Sequence, residues 1–199
     1  MLSVSAIALL AFGIVVVLIT PGPTNTLLAA AGLRQGVRRS LRLIAAELGG
    51  YVISISVWGH FLVKAAHALP WLPSLVRVAA GLYIAYLAVD MWRAAVALPG
   101  SAHQASGMRT LFVATLLNPK GLLFAGTIFP AIAFAQLPAY AFAMLMFACL
   151  LVPIALAWIT FGAALGSGKL TWLNPVKMQR GASIVLGVFS LSLAWAALH

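Results

Sequence analysis

The residues able to do chemistry in this chain are few, and most of them cluster around two proline-broken stretches. The first stretch reads Thr20-Pro21-Gly22-Pro23-Thr24-Asn25, and the second reads Leu117-Asn118-Pro119-Lys120-Gly121. Lys120 is the sharpest single residue. It lies about 12 residues into an apolar run, roughly 18 Å from its start at a helical rise of about 1.5 Å per residue. A lysine at that depth of a bilayer costs about 2.5 kcal/mol or more and requires a partner, a wet cavity or a task. An ammonium there can draw in a substrate carboxylate; the alternative is a lysine that snorkels or pairs with a structural acid. Thr20, Thr24, Asn25 and Thr26 set hydroxyl and amide groups around the first break, and Asn118 is the matching handle in the second. A helix restarting after Pro23 turns its positive end inward, which suits an anionic group. The same side chains can instead cap broken backbone.

Glu47 and Asp90 are the chain's two acids. Glu47 falls five residues after Arg42, roughly 7 Å inside the interface, and an intramembrane acid suggests proton coupling or contact with a substrate cation. Asp90 lies three residues before Arg93 and can pair with it along a helix. His60 and His67 are seven apart, but two histidines without a third ligand make a poor metal site. No metal or other cofactor is expected. Catalysis is not expected either, because the chain has neither an H-E-x-x-H nor a G-x-S-x-G motif and too few carboxylates for paired acid–base work.

These residues must be positioned by membrane helices. The 199 residues are 64% hydrophobic and 7% charged, with a mean hydropathy of +1.10, whereas soluble domains carry about 25% charged residues. A span needs roughly 20 apolar residues. Six segments qualify: 2–33 (interrupted), 43–65, 72–96, 108–134 (interrupted), 138–164 and 181–198. Pro70 and Pro73, Pro99-Gly100 and Gly166-Ser167-Gly168 punctuate the turns. The first segment lacks the basic start of a signal peptide and is read as a retained helix. No hydrophilic stretch is long enough for a second domain, so residues 1–199 form one membrane domain with halves of about 1–100 and 101–199.

Basic residues set the orientation. Arg34, Arg38, Arg39, Arg42, Arg93, Arg109, Lys169, Lys177 and Arg180 fall in connections on one side, and Lys64 and Arg77 near the other. Positive residues mark the cytoplasmic face, so both termini face out. The net charge of +10 therefore reads as topology rather than as a nucleic-acid footprint. Trp58, Trp71, Trp92, Trp172 and Trp195 sit near span ends, where aromatic belts belong. Three spans per half require inverted halves, and residues 81–88 and 187–194 show modest similarity. Paired helix interruptions in an inverted 3+3 repeat point to a transporter's midplane site. Ala29-Ala30-Ala31-Gly32 allows close helix packing within a subunit or in a homo-oligomer. Cys149 is the only cysteine, which excludes an internal disulfide.

At these motifs the chain resembles the LysE/RhtB-type amino-acid exporters. The resemblance rests on Pro21-Gly22-Pro23-Thr24-Asn25 with Gly32-Leu33-Arg34-Gln35-Gly36, and on Leu116-Leu117-Asn118-Pro119-Lys120-Gly121 with Phe129-Pro130. It also rests on Gly81-Leu82-Tyr83-Ile84-Ala85-Tyr86-Leu87 and on a length near 200 residues. It implies an ion-coupled secondary exporter of amino acids or close derivatives in a bacterial inner membrane. Two positions depart from the family pattern: Glu47, where a small or apolar residue is expected, and Asp90, where glycine is common. The expectation is thus an all-α, six-span exporter coupled to H+. Its substrate site comprises Thr20, Pro21, Gly22, Pro23, Thr24, Asn25, Asn118, Pro119, Lys120 and Gly121, with Glu47 and Asp90 for ion coupling. The alternatives are a cation or metal exporter and a membrane assembly protein without flux.

Overall fold

The computed structural model describes residues 3–69 and 107–167, together with single positions between 71 and 93 and between 180 and 191. Every regular element among the described residues is helical. Helix α1 (Val4–Ile19) starts at Ser3, whose hydroxyl accepts the Ala6 N–H at 3.2 Å. It stops at Thr20, which takes an extended ψ of 124°, because a following proline disfavours the helical conformation of the residue before it. Helix α2 (Pro23–Ser40) restarts with proline in its first turn, where the missing N–H would have had no partner anyway. The two axes meet at 58°.

Near its end α2 turns at Gly36, whose φ of +77° is accessible to glycine and strained for other residues. The Ser40 hydroxyl donates to the Gly36 carbonyl at 2.9 Å and closes this corner. Helix α3 (Arg42–Ala68) follows directly. In the second half, α4 (Met108–Leu116) gives way to α5 (Pro119–Leu123), with a 45° bend between Met108–Leu116 and Pro119–Ile128. Helix α5 continues as a π-helical turn, Phe124–Ile128, closed by the Phe129 N–H on the Phe124 carbonyl at 2.8 Å. Short α6 (Ala131–Ala135) and long α7 (Leu137–Gly166) complete the described elements.

Helices Arg42–Ala65 and Leu137–Gly166 are each long and apolar enough to cross a membrane. Counting each bent pair as one span gives up to four among the described residues. The expected spans at 72–96 and 181–198 lie largely outside them, as do most of the residues behind the proposed repeat.

The helices pack through small residues. Helices α2 and α7 make the most extensive contact, and it is a backbone-to-backbone one. A Cβ on Gly32 would strike the Ile159 carbonyl, and one on Gly162 would strike the Ala29 carbonyl. Between helices in lipid, such close approach supplies the dispersion contacts that water exclusion supplies in soluble proteins. Helix α3 packs on α4, α5, the π turn and α6. Its inner face therefore meets the second break while α1 and α2 carry the first.

Candidate functional site

The two proline breaks meet, and Lys120 joins them. Its Nζ donates to the Thr20 carbonyl at 2.6 Å, spanning 100 residues of sequence. That carbonyl is free because α1 ends there. The Asn25 amide reaches back from the first turn of α2 to the same carbonyl at 2.7 Å and to Leu18 O at 2.8 Å. Gly22 leaves room for the lysine: a Cβ there would sit 3.2 Å from both Lys120 Cε and Nζ. Its φ of −168° is ordinary extended backbone, so the demand on this glycine is space, not conformation.

The second break holds itself together. Asn118 Oδ1 accepts the Lys120 backbone N–H at 3.0 Å, a side-chain cap on α5. Its Nδ2 donates to the Tyr51 hydroxyl at 3.2 Å. Tyr51 is fully buried, edge-on to Phe124 and Phe147 at 5.6 Å between centroids in each case.

Helix α3 presents one continuous face to both breaks, made by Glu47, Gly50, Tyr51 and Ser54. Spacings of three, four and seven residues place these on one side of a helix. Ser54 packs against Gly121, where a Cβ would collide with its hydroxyl, and Gly50 packs against Thr115. The Glu47 carboxylate is 2% exposed. It faces the Thr24 hydroxyl and lies within the electrostatic field of Lys120. The Thr24 hydroxyl makes no hydrogen bond of regular geometry, and neither do those of Ser54 and Thr127. Buried polar groups normally find partners, so the hydroxyls of Thr24, beside Glu47, and Ser54, beside Gly121, keep hydrogen-bonding capacity for a ligand. An ammonium and a carboxylate removed from water are each costly unless compensated. Together they complement a small molecule that carries both charges.

Several expected residues act through the backbone or as caps. Pro21, Pro23 and Pro119 make the breaks. Thr20 turns its hydroxyl onto Val16 O at 2.7 Å. Thr26 is exposed and donates to Gly22 O and Pro23 O at 2.6 and 3.1 Å. His60 Nδ1 donates to Ser56 O at 2.9 Å, and its ring packs on Phe134 and Tyr140 at 5.8 and 6.3 Å. Asp90 lies outside the described residues. Among the described residues no three His, Cys, Asp or Glu side chains come together. Tyr51 and Ser54 were not expected as site residues. Polar and small residues at helical spacing from Glu47 were their signal.

A chain of aromatic contacts leads away from the site. Phe124 meets Phe147 at 5.0 Å, Phe147 meets Phe129 at 6.1 Å and Phe129 stacks on Phe134 at 6.0 Å. It ends at a cleft of about 340 Å³ lined by His60, Phe134, Gln136, Leu137 and Tyr140, among others.

Broken apolar helices around buried charges of opposite sign are the arrangement of a membrane transporter's interior. The LysE type translocator family matches residues 15–199, and the chain belongs to that family. No curated protein and no solved structure is significantly similar to it.

Proposed function

We propose that this protein is a proton-coupled secondary exporter of amino acids or close derivatives, acting in a bacterial inner membrane. The observation that carries this reading is the Lys120 ammonium bound across both breaks, with Glu47 and the Thr24 hydroxyl beside it. In the resting site Lys120 occupies the Thr20 carbonyl. An incoming α-carboxylate competes for Lys120 and for the N–H groups that open α2, while the substrate ammonium turns to Glu47. Protonation of Glu47 from outside weakens that second contact and favours release, and its deprotonation to the cytoplasm resets the site. Alternating access follows if the halves, about 1–100 and 101–199, are inverted and rock about this junction, which is the general plan for such repeats. Six spans with both termini outside complete the arrangement.

The test is counterflow in proteoliposomes loaded with a mixture of common amino acids and read by mass spectrometry. One or a few amino acids should leave, faster under an imposed pH gradient. Glu47→Gln should keep exchange but lose the pH-gradient acceleration, and Lys120→Ala should lose both. Normal transport by both variants, properly inserted, sinks the assignment of roles.

A further inference from the structure

The corner between α2 and α3 gathers three arginines that the transport mechanism does not use. Arg38, Arg39 and Arg42 are exposed and together line a cleft of about 360 Å³. Their convergence follows from spacing: past Gly36, at a φ of +77°, Arg42 stands four residues after Arg38 and three after Arg39, on one side of the helical stretch. Ser40 clamps the turn by donating to Gly36 O at 2.9 Å, and Leu41 N–H returns to Val37 O at 3.2 Å. Three guanidinium groups thus share one concavity, where like charges repel.

Two acidic side chains stand against twelve basic ones, and among the described residues the acid is Glu47, buried at the junction of the breaks. The cleft therefore draws on anions from outside these residues. By the positive-residue rule this corner lies at the cytoplasmic interface, where the leaflet presents anionic headgroups to juxtamembrane basic clusters. Guanidinium groups match phosphate oxygens in bidentate fashion, which a lysine ammonium does not. A helix C-terminus also favours cations, but that preference needs no shared cleft.

We infer that Arg38, Arg39 and Arg42 form a seat for the phosphate of an anionic phospholipid headgroup in the cytoplasmic leaflet. The seat holds the α2–α3 corner in register, on the same two helices that carry Thr24 and Glu47.

Native mass spectrometry of the full chain, released from nanodiscs of mixed phosphatidylglycerol and phosphatidylcholine, tests this directly. Each arginine near an anionic surface strengthens binding by about fivefold. The wild type should therefore retain phosphatidylglycerol over phosphatidylcholine by roughly a hundredfold. The R38Q/R39Q/R42Q variant should lose the preference, and R38K/R39K/R42K, which keeps charge and topology, should hold an intermediate level. Equal preference in wild type and the glutamine variant overturns the proposal. So does displacement of the lipid by millimolar inorganic phosphate, which would assign the seat to a free anion. Equal retention by the lysine and wild-type chains overturns the bidentate geometry. None of these readouts depends on transport.

Discussion

The two breaks share a function in the backbone but solve it differently. The first, between α1 and α2, opens by 58° and leaves carbonyls that other groups must satisfy: Asn25 from the next turn and Lys120 from the other half. The second opens by 45° and is closed locally, by Asn118 capping the Lys120 N–H and leaning on Tyr51. One break is thus an acceptor that depends on its neighbour, and the other a self-supporting platform that projects a donor. A third interior proline sharpens the point. Pro153 lies within α7, and the helix continues through it. Proline alone does not open a membrane helix when neighbouring groups absorb the lost hydrogen bond; it does so here where an extended residue and a new helix start adjoin it.

This asymmetry predicts unequal responses to matched substitutions. The largest belongs to the residue that joins the breaks. Lys120→Met keeps the length of the side chain but loses its charge, and should lower exchange in proteoliposomes by about a hundredfold, the scale of a charge-assisted hydrogen bond. Next are the two glycines. A methyl group at Gly121 meets Ser54, held in a packed helix, and should destabilise by about 2 kcal/mol, as overpacking does. Thermal unfolding in detergent should show that loss, and Ser54→Gly in the same chain should recover most of it. At Gly22 the added methyl group meets only the flexible end of Lys120. Gly22→Ala should leave the melting temperature nearly unchanged and weaken apparent substrate affinity several-fold.

The two asparagines should also differ. Asn25→Ala removes the amide from the Leu18 carbonyl and leaves the Thr20 carbonyl to Lys120 alone, and should cost about 1–3 kcal/mol, against about 1 kcal/mol for losing the Asn118 cap. Equal costs would mean that the first break is supported in some other way. The smallest effect expected is that of Tyr51→Phe, which removes the hydroxyl that accepts from Asn118 at 3.2 Å and should cost about 0.5–1 kcal/mol.

The breaks and Lys120 were legible in the sequence because proline and an intramembrane charge violate the rules of an apolar helix, and violations stand out. The same logic exposed Glu47, which is buried at the junction of the breaks. The α3 face was harder to see. Tyr51 and Ser54 are common in membrane helices, and only their register with Glu47 marks them. Pro130 marks the interruption after Phe129, but the π turn at 124–128, which packs on α3 and α1, is announced by no local residue preference. Capping and ligand contact were indistinguishable from residue type. In the structure Thr20, Asn25 and Thr26 are engaged with backbone carbonyls while the Thr24 and Ser54 hydroxyls are not.

The central claim is that Lys120 holds a substrate carboxylate at the junction of the breaks. The most direct measurement is a cycle of binding affinities in purified protein, using the transported amino acid and its carboxamide with wild type and Lys120→Met. If the claim holds, amidation weakens binding to wild type about as much as the substitution does, and amidation of the ligand costs Lys120→Met nothing further. Losses that simply add would place the carboxylate elsewhere and contradict the account.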